Sequence, residues 1–231
     1  MGDNILLTIL CFAVMVIAPY LISGINSAII VTKIKTGEDI RTIGSGNAGL
    51  TNTLRTQGKL AALFVLLGDI LKGVLSILLV HFCFKLLLGV DTYANDGYAW
   101  INYCAGVFAV MGHIFPIYYG FKGGKGVLAM FAMMLVCDPP VFLLMLIVFA
   151  IIAIGTRLVS MASVMTAIFM PLFIALWYTI MYGDGATAGF RMPIAFLITV
   201  VIVCRHIPNI KRIMNREEPR VKMPWEKKKA K

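Results

Sequence analysis

The feature that most limits what this chain can fold into is the stretch from residue 60 to residue 88, LAALFVLLGDILKGVLSILLVHFCFKLLL. Its apolar side chains run without a turn signal for longer than the ~20 residues a helix needs to cross a bilayer. Six more apolar runs lie at about 5–31, 98–118, 126–137, 141–155, 161–182 and 192–204, and none has the ~10-residue alternation of a membrane barrel strand. With 60% hydrophobic and 14% charged residues, the chain is far from the ~25% charged composition of soluble domains. These runs predict an all-α integral membrane protein with seven transmembrane helices in one membrane domain, 1–231. The first run lacks a basic leader and exceeds the ~7–15 residues of a signal-peptide core, so it counts as a span. The fourth and fifth are short and separated only by CDPP, where Pro139 and Pro140 stop a helix. They either cross separately or form one broken hairpin that enters and returns.

Alternating sides puts the polar stretches 32–59, 119–125, 156–160 and 205–231 on one face. Of the 21 Lys and Arg residues, only Lys72, Lys85 and Arg191 lie elsewhere. The positive-inside rule makes the rich face cytoplasmic, with the N-terminus outside and the tail 205–231 inside. Asp3, Asp91, Asp96, Asp138 and Asp184 fall on the outer side. The terminal WEKKKAK can attract anionic lipid at ~1 kcal/mol per basic residue, and it serves equally as a topology anchor. The formal charge of +10 is thus explained by the membrane, and nothing points to nucleic acid. Five cysteines fall within or at the ends of apolar runs with no CxxC pair, as packing residues do, and no metal or cofactor is implied. No oligomeric state follows from the sequence.

Four polar stretches on the basic face carry the residue types that bind phosphate. RTIGSGNAGLTNTLRTQGK, residues 41–59, is rich in Gly, Ser, Asn and Thr, and small residues before a helix start make an anion-binding concavity. Its Gly44, Gly46 and Gly49 match GxGxxG, but that fingerprint requires a strand and a βαβ unit, and membrane spans flank it here. GHIFPIYYGFKGGKGV, residues 112–127, is no P-loop, because Gly126 stands where Ser or Thr is needed. Topology would explain its lysines but not its glycines, which are expected to let backbone N–H groups face the same anion as Lys122 and Lys125. TRLVSMAS puts Arg157, Ser160 and Ser163 on one face of the helix entering the sixth span. CRHIPNIKRIMNREE, if helical, aligns Arg205, His206, Asn209 and Arg212 in a stripe leaving the last span. Asp69 and Lys72 share one turn inside a span, where a charge costs ~2.5–3.5 kcal/mol, so they either neutralise each other or act directly. No close carboxylate pair, HExxH or HxxxxD box occurs. A site built from donors suits phosphate binding and charge stabilisation better than general-base catalysis.

The elements GSGNAGLTN, GDILKG, GHIFPIYYGFKGGKGV, TRLVSMAS and RHIPNIKR, in this order over nearly the whole chain, resemble the bacterial acyl-phosphate:glycerol-3-phosphate acyltransferase family, often called PlsY. The family usually reads GATN where this chain has Gly49-Leu50-Thr51-Asn52, KGVAT where it has Lys125-Gly126-Val127-Leu128-Ala129, and glycine where it has Arg216, so the pattern assigns Glu218 no role. The resemblance implies a seven-span fold in the bacterial cytoplasmic membrane, with the active site at the cytoplasmic face. It implies transfer of an acyl group from acyl phosphate to the 1-hydroxyl of glycerol 3-phosphate. Carried over by position, it makes Ser45, Gly46, Asn47, Thr51, Asn52 and Arg55 a phosphate-binding first loop, and Lys122, Gly123, Gly124 and Lys125 a second. Ser160, Ser163, His206 and Asn209 close the site, with Lys125, Ser160, His206 and Asn209 expected to act in catalysis, and His113 orients the second loop. An anion transporter and an acyl-CoA-dependent acyltransferase are the rival readings. No inverted repeat supports the first, and the second lacks its HxxxxD box.

Overall fold

The structure is a computed structural model that describes residues 4–183 and 189–221. The end of the basic tail, with Asp3 and Asp184, lies outside the described residues. Among those described, the chain is helical without strands: α1 (Ile5–Gly24), α2 (Ser27–Thr36), α3 (Leu50–Gln57), α4 (Lys59–Leu88), α5 (Ala99–Ile114), α6 (Val127–Cys137), α7 (Pro139–Thr156), α8 (Val159–Tyr182) and α9 (Arg191–Met214).

The first apolar run is two helices, because Asn26 begins a new one by accepting a hydrogen bond from the Ile29 amide at 3.0 Å. Counting α1 with α2, six helical segments are long and apolar enough to cross a membrane. The seventh, α6, has 11 residues and rises only ~16 Å at ~1.5 Å per residue, about half a bilayer core. It is apolar all round for a different reason than lipid contact, since Ala129 to Met134 are all buried among α4, α5 and α7. Pro139 and Pro140 sit at the first positions of α7, where a missing N–H costs nothing, so the prolines start one helix as they separate it from the last. The final helix runs on through Met214, past the tail boundary expected at residue 205, because the polar stripe at its end faces protein instead of lipid.

On α4, Leu63, Leu67, Leu71, Leu75 and Leu79 recur on the exposed face, whereas Asp69, Lys72, Ser76 and His81 lie on the buried one. Polar groups thus avoid lipid. At the end of the bundle away from the basic loops, the Arg191 guanidinium is stacked 4.4 Å from the Tyr178 ring and 4.5 Å from Phe190. It also pairs with Asp96 and lies 3.9 Å from Asp138, which accepts from the Tyr178 hydroxyl at 2.8 Å. This cluster joins α8, α9 and the α6–α7 junction.

Close crossings depend on missing side chains, as is common where helices associate in lipid. A Cβ on Gly112 of α5 would stand 2.1 Å from the Tyr20 carbonyl oxygen of α1, and one on Gly73 of α4 would stand 2.6 Å from Ala132 of α6. Gly112→Ala is therefore expected to lower stability by at least the ~1–3 kcal/mol typical of overpacking, because backbone must move. Gly155→Ala, at a site with no atom within 4 Å, is expected to cost nothing. Thermal unfolding midpoints of the two variants in detergent check this.

Candidate active site

The first loop is shaped by Arg41. Its Nε and Nη2 hold the Asp39 carboxylate at 3.0 and 2.7 Å, and its Nη1 donates to the Tyr119 carbonyl at 2.9 Å, which ties the first loop to the second. A hydrogen bond from Arg41 keeps the Asp39 carboxyl below the usual carboxylate range. Asn52, buried on α3, holds the loop from inside: its amide donates to the carbonyls of Ile40 and Ile43 at 3.2 and 2.9 Å, and its oxygen accepts from the Ser45 amide at 3.0 Å. Its polar atoms are spent on loop shape.

The second loop departs from the expectation that its glycines offer amides to an anion. Gly123 N–H donates to the Ile114 carbonyl and Gly124 N–H to that of His113, both at 3.1 Å, satisfying carbonyls left over at the end of α5. Glycine is needed for contact: a Cβ on Gly123 would stand 2.2 Å from the His113 oxygen, and one on Gly124 2.2 Å from His113 Nε2. The residues of this stretch that line the site are those at the start of α6, Lys125, Gly126, Val127 and Leu128. A helix N-terminus carries positive partial charge and suits an anion.

These parts surround a cavity of about 440 Å³. Of the residues expected in the site, Ser45, Asn47, Thr51, Asn52, Arg55, Lys125, Ser160, Ser163, His206 and Asn209 line it. Gly46, Lys122, Gly123 and Gly124 do not. Gly46 makes the turn before Asn47, with φ of 70°. Lys122 opens onto a separate depression beside Arg41 and Tyr119. Arg157 is not on the serines' helical face either, because it ends α7 in a left-handed conformation, φ 64°, before α8 begins at Val159. Arg205 turns aside, its guanidinium 5.7 Å from the Phe115 ring.

Lys125 Nζ donates to Asn209 Oδ1, and Asn209 Nδ2 donates to Glu218 Oε1 at 2.7 Å. Arg212 Nε binds the other Glu218 oxygen at 2.7 Å. Burial opposes ionisation of Glu218, but hydrogen bonds from Asn209, Ser160 and Arg212 outweigh it and hold the carboxyl below its ordinary value. Burial, with Arg212, Arg205 and Arg55 nearby and only Glu218 opposing, pushes the Lys125 ammonium down to about 8. His206 Nδ1 lies 2.8 Å from the Ile202 carbonyl, which only accepts, so that nitrogen carries the proton and Nε2 keeps its lone pair. Beyond α9 the chain folds back until the Val221 amide reaches the Arg157 carbonyl at 2.9 Å, and Pro219 and Val221 become part of the wall.

The sequence pattern left the role of Glu218 open and gave Gly44 and Arg212 no place in the site, yet all three line the cavity. An acid within a basic tail gives no signal; a charge inside a span, as at Asp69, does, and Asp69 and His113 do line the cavity. Leu50, Val127, Leu128, Phe149, Val159 and Val221 add apolar side chains to the same lining. No group of His, Cys, Asp and Glu among the described residues could hold a metal ion.

Together these features define a helical membrane protein whose cavity is lined by cationic, hydroxyl, amide and apolar side chains. The sequence profile described as Glycerol-3-phosphate acyltransferase matches residues 13–216. The glycerol-3-phosphate acyltransferase of Bacillus subtilis (strain 168) is 40% identical over 91% of this chain and 97% of its own. That of Clostridioides difficile (strain 630) is 37% identical over 92% and 97%. The crystal structure of PlsY (YgiH), an integral membrane glycerol 3-phosphate acyltransferase, in its glycerol 3-phosphate form, superposes with a TM-score of 0.73 at 31% identity, covering 90% of this chain and 94% of that one. Its lysophosphatidic acid form gives 0.70 at 30% identity. The chain belongs to the glycerol-3-phosphate acyltransferase family.

The Lys125 ammonium supplies a pH dependence. Below about 8 it is charged and able to attract an anion; above, it is neutral and that attraction is lost. The KM for a phosphate-bearing substrate is expected to rise between roughly pH 7.5 and 9.5, and Lys125→Arg, charged throughout that range, to flatten the rise. Initial rates across that pH window check both.

Proposed function

We propose that the chain transfers a fatty acyl group from acyl phosphate to the 1-hydroxyl of glycerol 3-phosphate, giving lysophosphatidic acid and inorganic phosphate for phospholipid synthesis. It does so as a single seven-span domain of a bacterial cytoplasmic membrane, with the N-terminus outside and the cavity and C-terminus on the cytoplasmic side. One observation carries the reading: phosphate-type donors and an apolar wall line the same cavity. The forms in which PlsY was crystallised, with glycerol 3-phosphate and with lysophosphatidic acid, fit a substrate and a product of that chemistry.

Acyl phosphate is a mixed anhydride, so its leaving group is good and the main barrier is the mutual repulsion of two phosphate-bearing molecules. Lys125, Arg55, the α6 N-terminus and the hydroxyls of Ser45, Thr51 and Ser160 offset that repulsion. Donors preset for the developing oxyanion can each contribute ~10²–10³ in rate. The 1-hydroxyl oxygen bonds to the acyl carbonyl carbon, the carbon's bond to the bridging phosphate oxygen breaks, and phosphate leaves. Asp69 is paired with Lys72, and Glu218 is hydrogen-bonded to Asn209 and Arg212, so neither carboxylate is a ready base. A phosphate oxygen of the donor takes the hydroxyl proton. His206 is the second candidate, because its Nε2 lone pair is free of the Ile202 bond. The apolar wall receives the start of the acyl chain, each buried CH₂ contributing ~0.8 kcal/mol.

Purified protein in detergent, given glycerol 3-phosphate and acyl phosphate, is expected to release phosphate and lysophosphatidic acid in equal amounts, and to form neither product with acyl-CoA. Turnover with acyl-CoA as fast as with acyl phosphate would replace this reading by its rival, and transport of phosphate without product by the other. Lys125→Ala is expected to raise the KM for the phosphate substrates at least tenfold. His206→Gln is expected to keep the pH profile of kcat; loss of its acidic limb makes His206 the base.

A further inference from the structure

We infer that Asp69, Lys72 and His113 form a buried positioning unit that sets Lys125 for the substrate phosphate by locking the first and second loops against the break between α1 and α2. The inference rests on the function proposed for the cavity and concerns residues that need not touch substrate. Asp69 and His113, 1% and 3% exposed, line the cavity from α4 and α5. Lys72 Nζ is 2.9 Å from Asp69 Oδ1 and also donates to the Ile25 carbonyl at 2.7 Å, a group freed where α1 stops. Asn26, at the same break, donates to the Ala48 carbonyl at 3.3 Å, so the break holds the first loop as well. His113 Nδ1 faces Asp69 Oδ1 at 3.9 Å and has no hydrogen-bond partner among the described residues.

On its other side His113 meets the second loop. Its carbonyl accepts from Gly124, and a Cβ on Gly124 would stand 2.2 Å from its Nε2 and 2.9 Å from the Ala48 oxygen. Gly124 is therefore wedged between the imidazole and the first loop, and Lys125 is the next residue. A charge pair inside a spanning helix is costly, and this one faces the imidazole that packs on Gly124, the residue before Lys125. The imidazole is a positioning residue, acting through Gly124 on Lys125, and Asp69 with Lys72 orients the imidazole.

The test measures glycerol 3-phosphate binding directly, by calorimetry on the full chain in detergent, so that it does not depend on the acyl donor. His113→Ala is expected to weaken binding about tenfold, within the range shown by coupled neighbours. In a Lys125→Ala background the same change is expected to alter binding less than twofold, because the residue through which it acts is gone. Asp69→Asn combined with Lys72→Gln, which removes both charges together, is expected to weaken binding in the wild-type background and to add nothing to His113→Ala. Equal losses in both backgrounds, or none from His113→Ala, overturn the inference. Should His113→Ala not fold, the Asp69→Asn/Lys72→Gln pair run with and without Lys125→Ala decides by the same criterion. No binding of glycerol 3-phosphate to the wild-type chain would instead fail the proposed function.

Discussion

The contact on which the basic end of the molecule depends is the ammonium of Lys72, held between the Asp69 carboxylate and the Ile25 carbonyl. In lipid no water satisfies an exposed backbone group, so a break in a spanning helix must be met by protein. Lys72 meets this one, and Asp69 balances its charge. At the break a new helix, α2, leads into the first loop, which Asn26 holds through the Ala48 carbonyl and Arg41 ties to the second loop.

The cavity that results joins two environments. Its polar side collects cations that repel one another: Lys125, Arg55 and Arg212. Glu218, brought back by the chain after α9, relieves part of that repulsion through Asn209 and Arg212. The balance leaves Lys125 charged near neutrality while easing its proton loss. The apolar lining comes from Leu50 of α3, Val127 and Leu128 of α6, Phe149 of α7, Val159 of α8 and Val221, and the other end of the bundle holds the Arg191 cluster.

Much of this was legible in the residues. The apolar runs locate α4, α5, α7 and α8 within a few positions, because a spanning helix needs a length and a polarity that nothing else in a sequence imitates. Ten of the residues taken from the family pattern do line one cavity, since Ser, Asn, Arg, Lys and His in that pattern are read by chemical type. The glycines were misread for a physical reason. Gly123 and Gly124 look like anion-loop glycines, but their amides end α5 and their bare Cα atoms admit His113. Residue type alone does not say whether a glycine is there for what its amide binds or for what its missing side chain lets in.

By itself, then, the sequence determined that the chain is a helical membrane protein, where its basic residues gather, and ten side chains that come to line one cavity. Hydropathy, charge bias and donor chemistry are properties of single residues and short runs. Only the tertiary structure decided that α6 is a buried half-length helix, that α9 continues to Met214, that Lys122 and Lys125 face different places, and that Glu218 returns to the cavity. Each of these depends on which elements touch across long separations in the chain, and contact of that kind is set by packing, which no local run of residues encodes.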